Sequence, residues 1–409
     1  MNERGLYKAL WEHHCADKAM VLLAGPRQCG KTTFAKDIVA KAYRDVEYFN
    51  WDQNQDKQRL IADPLFFTKA PRSDAASRPL IILDEIHKYR HWKNYLKGVY
   101  DQCYKDYQFL VTGSGRLEFS RKAGDSLAGR FLRFHFFPLT LAELSSHRHS
   151  WNDFIKDPLM GIDHKFDTQS QAAFESLMEF SGFPEPFFKA RKTFWRAWSA
   201  GYGQQIVRDD LRSVADLRNL DTIELLYALL PTRVGSPLSM NNLAGDLQVS
   251  FDTVKSWLLL FDLFYLTFRI SPWSDKITRG LHKEKKIYIF NYPLIEDEGL
   301  RFENLVAVEL LRGIENWNDY GFGNFNLHYV RNKEKQEVDF ILSNNNRPIL
   351  LIETKTSEDE PTKPLKLFQT ALNVPAVQLV NKDKIHKVFR NGKHNILVVT
   401  AHQWLSNLP

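Results

Sequence analysis

Cysteine is scarce in this chain, and the little there is does not pair. Cys15, Cys29 and Cys103 are odd in number and scattered over 409 residues, with no C-x-x-C doublet. That excludes a zinc ribbon and a disulfide framework, and leaves reduced thiols in a cytosol-like compartment as the simple reading. Long apolar runs are missing too. Stretches such as Trp257–Leu263 contain charges or stop far short of a bilayer's thickness, so no membrane-spanning helix is expected. The first fourteen residues are polar and charged, unlike a secretory leader, and a cytoplasmic location is expected. No repeat of fixed period and no low-complexity block stands out. Nor does one sign of charge dominate: the net charge of +6 is mildly basic and by itself says nothing about nucleic acid.

What is present is an ordinary globular composition, 44% hydrophobic and 25% charged, at a length that suits two or three compact units with cores of their own. Residues 1–15 read as a short amphipathic helix with Leu6, Leu10 and Trp11 on one face. A strand at Ala19–Ala24, a loop and a helix at Phe34–Ala42 follow, then apolar runs at Leu80–Leu83 and Phe109–Val111 that each end in polar residues. Short apolar runs alternating with helices predict an α/β layer of parallel strands, whose ligands sit beyond the carboxyl ends of the strands. From 150 to 230 the pattern is helical and aromatic-rich. After a break at Pro231–Pro237, a helical segment reaches Ile270, a basic stretch follows, and Ile287–Phe290 is strand-like. Beyond Leu300 the order is helix (Phe302–Arg312), strands (Leu327–Val330, Glu337–Leu342, Ile349–Glu353) and helix (Pro364–Ala371). The expected units are 1–230, 231–300 and 301–409.

Gly25, Pro26, Arg27, Gln28, Cys29, Gly30, Lys31 and Thr32 fit the pattern G-x-x-x-x-G-K-S/T without a mismatch, and Thr33 continues into the helix. The chemistry needs this order. Glycines let the backbone curl until successive N–H groups face phosphate oxygens. Lys31 would neutralise the terminal phosphates, the Thr32 hydroxyl would ligate Mg²⁺, and the helix opening near Thr33 would aim its positive end at the same anion. Chance is the bland alternative, weakened by the strand before and the helix after.

Leu80–Leu83 runs into Asp84 and Glu85, two adjacent acids at a strand tip. Asp84 would hold Mg²⁺, and Glu85 would orient or deprotonate the attacking water. The run ending Thr112-Gly113-Ser114 offers Ser114 as a sensor of the terminal phosphate, or a simple turn. Arg130, with Arg133 nearby, reads equally as a charge-stabilising finger or as a surface arginine.

Together these segments resemble the prokaryotic AAA-type ATPases that carry a C-terminal domain of unknown function, a restriction-endonuclease-like module. The resemblance rests on GPRQCGKTT (25–33), IILDEIHK (81–88), LVTGSGR (110–116), SLAGRFLRFHFFPLTLAEL (126–144), FSGFPEP (180–186), FENLVAVELLR (302–312), EVDFIL (337–342) and LIETK (351–355). It implies an α/β fold: an AAA+-like parallel sheet with a helical lid, a winged-helix module and a restriction-endonuclease-like α/β domain. It implies ATP and Mg²⁺ as ligands, Ser114 at the sensor position, Arg130 as the arginine of a SLAGR motif, and self-association that would let Arg130 act on a neighbour's nucleotide. Asn291 departs from the expected aspartate, which puts any role for that position in doubt.

Two further stretches carry chemistry. Residues 238–258 read as helix, turn, helix, with Ser250 as N-cap and Thr253, Lys255 and Ser256 facing outward; Lys276, Arg279, Lys283, Lys285 and Lys286 follow as a basic wing. The alternatives are DNA contact and protein docking. Near the C-terminus, Asp339 and Glu353-Thr354-Lys355 form a D…E-x-K pattern. Asp339 and Glu353, with Glu303 from the preceding helix, would hold Mg²⁺, and Lys355 would polarise the water. A solvated hairpin ion pair is the plainer reading. The leading expectation is therefore a Mg²⁺-dependent ATPase that couples nucleotide state to DNA binding or processing through 231–300 and 301–409. The alternative is a nucleotide-dependent switch or scaffold that binds a protein partner and carries an inactive nuclease-like domain.

Overall fold

The structure is a computed structural model, and it describes residues 4–74, 77–115, 127, 129–145, 150–159, 167–211, 219–274 and 284–409. By its contacts the chain falls into two units, Met1–Pro138 and Leu139–Pro409.

The first unit is built on five strands: β1 (Met20–Ala24), β2 (Val46–Asn50), β3 (Leu80–Asp84), β4 (Gln108–Gly113) and β5 (Leu132–His135), in the order β2-β3-β4-β1-β5. All four pairings are parallel. Every residue of β1, β3 and β4 is buried, as central parallel strands covered on both faces require. Leu22, Phe49, Leu83, Phe109 and Val111 form the centre of the core on one side of the sheet. The register brings Ala24 level with Gly113, and Thr112 level with Asp84. The carboxyl tips of β1, β4 and β3 therefore lie in one row. β4 runs between β1 and β3. Gly5–His14 forms the expected first helix and buries Tyr7, Leu10 and Trp11, while Leu6 is only half-buried.

The second unit contains helices at Trp151–Lys156, Thr168–Phe180, Pro184–Lys189, Lys192–Gln205 and Leu220–Leu229, and an eight-stranded mixed sheet. Its strands are β6 (Thr267–Pro272), β7 (Lys286–Ile289), β8 (Phe325–Arg331), β9 (Glu337–Asn344), β10 (Arg347–Lys355), β11 (Ala376–Val380), β12 (His386–Asn391) and β13 (His394–Thr400), in the order β12-β13-β11-β10-β9-β8-β6-β7. The sheet runs across residue 300 because β6 pairs with β8, Ser271 opposite His328. The helices expected as a lid over the first sheet cluster with this second unit. There Trp151 packs on Trp317, and Ser170 Oγ lies 3.0 Å from His402 Nδ1. Residues 267–270, expected to continue a helix, belong to strand β6 (Thr267–Pro272). Tyr265 adopts a left-handed backbone (φ 57°) that ends the preceding helix at Leu263, and the alternation of Thr267, Phe268 and Ile270 then fits a strand. Among the described residues, no helix is long and apolar enough to cross a membrane.

Candidate functional site

The loop between β1 and the next helix is held by a close approach and by two backbone turns. A Cβ on Gly25 would meet the Phe136 carbonyl oxygen at 1.9 Å, so Gly25 is required by packing against the chain after β5, not by a left-handed backbone. Gln28 (φ 57°) and Gly30 (φ 98°) supply the left-handed turns that curl the loop. The helix opens at Lys31, two residues earlier than the sequence suggested, and continues through Phe34–Val39 as a wider π-type coil. Gly30 caps it, so the free amides of the first turn face the loop. Lys31 is buried, its Nζ donating to Gly25 O (3.1 Å) and Pro26 O (2.5 Å).

Arg4 was not singled out in the sequence. It is buried and stacks 4.1 Å over the Phe136 ring; Nη1 donates to Cys29 O (3.0 Å) and Nη2 to Phe137 O (2.6 Å). Tyr7 joins it, its hydroxyl accepting from Phe137 N at 2.9 Å. The first helix thus pins the loop's backbone from behind. A lone arginine ahead of a helix gives no pattern that could have flagged this.

Asp84, buried at the tip of β3, collects three hydroxyls. Thr32 Oγ1 (2.8 Å) and Tyr48 OH (2.9 Å) donate to Oδ2, and Thr112 Oγ1 donates to Oδ1. Burial and the neighbouring Asp84 charge push the Tyr48 phenol above its usual range. The hydroxyl and carboxylate oxygens expected to hold Mg²⁺ are thus in direct contact, a hard oxygen set that suits this ion.

Glu85 takes a left-handed backbone (φ 55°), unusual for a residue with a side chain, and its N–H donates to Thr112 O at 3.0 Å. Glu85 Oε2 lies 3.1 Å from Lys88 Nζ and 3.6 Å from His87 Nε2, and Lys88 also reaches Asp52 at 2.6 Å. Burial works against the Lys88 charge, but Glu85 and Asp52 outweigh it and hold the ammonium above its usual range. Ser114 is buried, with Oγ 3.4 Å from His87 Nε2. His87 therefore stands between the two expected catalytic positions, Ser114 and Glu85.

Arg130 sits elsewhere. It precedes β5, at the amino-terminal end of the sheet, and forms a two-pronged bond with Asp101 through Nε (2.7 Å) and Nη2 (3.1 Å). A finger acting on this chain's own loop is excluded by that position, because the loop lies at the opposite ends of the strands. Ser126 and Ala128 of the same motif, and Arg116, lie outside the described residues.

In the second unit Glu303, Asp339, Glu353 and Lys355 do come together, with Lys286, Tyr288 and Glu337 beside them. Lys286 Nζ lies 3.1 Å from Glu303, 2.8 Å from Glu337 and 3.7 Å from Asp339. Tyr288 OH donates to Glu303 Oε1 at 2.8 Å, Thr354 N and Oγ1 donate to Asp339 Oδ2 at 2.8 and 2.7 Å, and Lys355 Nζ donates to Glu353 Oε1 at 2.8 Å. Burial, with the charge of Asp339, raises Glu303 to about 7 and Glu353 to about 8, against the pull of Lys286 and Lys355. Of the residues expected to hold a metal ion there, Glu303 and Asp339 lie against Lys286, and Glu353 against Lys355. Among the described residues no group of three or more acids, histidines or cysteines is arranged to hold one. Lys286 is likewise no phosphate-binding wing residue, being fully buried. Lys276, Arg279 and Lys283 lie outside the described residues. Asn291 is a structural residue: it accepts from Trp195 Nε1 (3.2 Å) and donates to Ser199 Oγ (2.6 Å).

The helix–turn–helix is present as Met240–Asp246 and Phe251–Leu263, each capped by a serine, Ser239 or Ser250, that accepts from the first turn. Lys255 and Ser256 are exposed and Thr253 is half-buried.

Residues 171–295 match a domain of unknown function (DUF8612), and 298–402 match another (DUF4143). An uncharacterized protein of Mycobacterium tuberculosis is 25% identical over 337 residues, 80% of this chain and 68% of its own length. One of Methanocaldococcus jannaschii is 24% identical over 297 residues, 68% of this chain and 62% of its own. Among solved structures, a Walker-type ATPase of Pyrococcus abyssi aligns with TM-score 0.46 at 13% identity, over 72% of this chain and 95% of its own. The Orc1 protein of Aeropyrum pernix, solved in complex with DNA, aligns with TM-score 0.33 at 12% identity, over 75% and 92%. Residues 17–145, which contain the loop after β1 and the acids at the tip of β3, match the AAA domain family, and that match supports a nucleotide-binding, ATPase-like protein.

Proposed function

We propose that this chain binds and hydrolyses ATP with Mg²⁺ and uses its nucleotide state to control DNA binding through residues 231–300 and 301–409. The observation that carries the ATPase part is the contact of Thr32 with Asp84 beside the amides that follow Gly30. Lys31 would exchange the carbonyls of Gly25 and Pro26 for phosphate oxygens, so its buried charge is never left unmatched. The first-turn amides would hold the same phosphates. Thr32 and Asp84 would hold Mg²⁺, which when bound supplies positive charge against the β- and γ-phosphates. Glu85 would orient the lytic water and accept its proton, with Lys88 and His87 fixing the carboxylate and Ser114 reached through His87. Arg130 would act only across an interface between copies, on a neighbour's nucleotide.

The DNA part rests on the capped helix pair and its exposed Lys255 and Ser256. A second reading, protein docking at the same helix, draws support from Phe251 (44% exposed) and Leu259 (38% exposed), which flank Lys255 at helical spacing. ATP hydrolysis measured on size-fractionated protein, with and without DNA, tests the proposal. Turnover that rises with DNA and falls with salt supports it. Turnover indifferent to DNA, together with salt-independent or absent DNA binding, favours docking.

A further inference from the structure

Lys286 opens β7 with 0% of its surface exposed, and its ammonium is the centre of a carboxylate shell. The shell is drawn from separate elements: Glu303 from the helix Glu298–Asp319, Glu337 and Asp339 from β9. The Tyr329 ring closes it on another side, 5.6 Å from Nζ. We infer that Lys286 is the resident cation of this cluster, filling with its ammonium the place a divalent ion would take, so that the C-terminal unit works without a metal there.

Three observations carry the inference. An ammonium at 2.8 to 3.7 Å from three carboxylates occupies the space in which a divalent ion would need the same oxygens at roughly 2.0–2.6 Å, and the two positive charges would repel at that distance. Two further oxygens of the cluster are committed as well, Asp339 Oδ2 to the backbone and hydroxyl of Thr354 and Glu353 Oε1 to Lys355, while Glu353 Oε2 is buried without a hydrogen-bond partner. The lysine is also fixed by its backbone. Lys286 pairs with Ile270 of β6 and bridges to Pro237, while Leu238 N donates to Lys285 O, so the stem cannot swing clear without disturbing both neighbours.

The inference holds whether or not the first unit hydrolyses ATP, so it is tested on nucleotide-free, chelator-treated full-length protein. Mn²⁺ binding is followed by the loss of the free-ion paramagnetic resonance signal in wild type, Lys286→Gln, Asp339→Asn and the double variant. Expected is no Mn²⁺ in wild type that depends on Asp339, and one new equivalent in Lys286→Gln that is lost again in the double variant. An ion in wild type whose binding disappears with Asp339→Asn overturns the inference. So does a folded Lys286→Gln that takes up none, since the lysine would then not be holding a cation's place. If Lys286→Gln fails to fold, thermal melting of the other two proteins decides. A wild-type midpoint unmoved by millimolar Mn²⁺ supports the inference, and one raised by it but unmoved in Asp339→Asn overturns it.

Discussion

Thr32 Oγ1 donates a 2.8 Å hydrogen bond to Asp84 Oδ2, joining the first turn after the β1 loop to the tip of β3 across the intervening β4. The contact exists because three parallel strands end in register and the loop between β1 and its helix curls back over them. It unites in one place the two halves of the proposed triphosphate and metal site, which lie far apart in the chain.

Lys31→Ala removes the only ammonium bonded to the loop's own carbonyls among the described residues, and Asp84→Asn removes the acid opposite Thr32. Each is expected to weaken Mg²⁺-dependent ATP binding by about 10- to 100-fold, the value of a hydrogen bond to a charged group. Titration with a fluorescent ATP analogue reads the change.

Glu85→Gln keeps the shape of the side chain but removes its basicity. ATP affinity should stay near wild type while turnover falls by about 10²- to 10⁴-fold. Equal losses in binding and turnover would make Glu85 structural.

Arg4→Met should act at a distance. Cys29 O and Phe137 O lose a buried charged donor, so thermal stability should fall by about 1–3 kcal/mol and nucleotide affinity with it. Calorimetric melting with and without ATP separates the two effects.

What was legible in the sequence follows from what must be local. The proposed phosphate loop is readable because backbone curvature, one lysine and one hydroxyl must occur within eight consecutive residues, and the tip of β3 because a buried strand ends in adjacent acids. Arg4 and Tyr48 were not readable, and Lys286 was read only as part of a basic wing, since each meets its partners only after folding brings distant segments together. The same holds for β4 lying between β1 and β3, and for the sheet that runs past residue 300. The D…E-x-K residues were legible as a group, but the Lys286 ammonium beside them was not, because it reaches them from another strand.

Three buried glutamates give the fold a pH dependence. Glu303 is raised to about 7, and Glu353 and Glu309 to about 8, each by burial first. The folded state therefore keeps protons that the unfolded chain, with carboxyls near 4.5, has already lost. Their stabilising effect is complete below about pH 4.5 and is lost as pH rises through about 7 to 8. Urea unfolding between those limits should show stability falling with pH. Each of Glu303→Gln, Glu309→Gln and Glu353→Gln should remove up to about 1.4 kcal/mol per pH unit of that slope.

Arg130 is paired with Asp101 at the amino-terminal end of the first sheet. Arg130→Ala should leave turnover unchanged in a monomeric fraction and lower it by at least about tenfold in any assembled fraction. A loss in the monomer would place the arginine's action within its own chain.

A crystal structure of the chain grown with a non-hydrolysable ATP analogue and Mg²⁺ decides whether the loop after β1 and the tip of β3 form an ATP site. Density for the triphosphate is expected along residues 25–33, with Lys31 Nζ on its terminal phosphates and the metal between Thr32 and Asp84. A nucleotide bound elsewhere, or a loop left empty at saturating ligand, would contradict the proposed site.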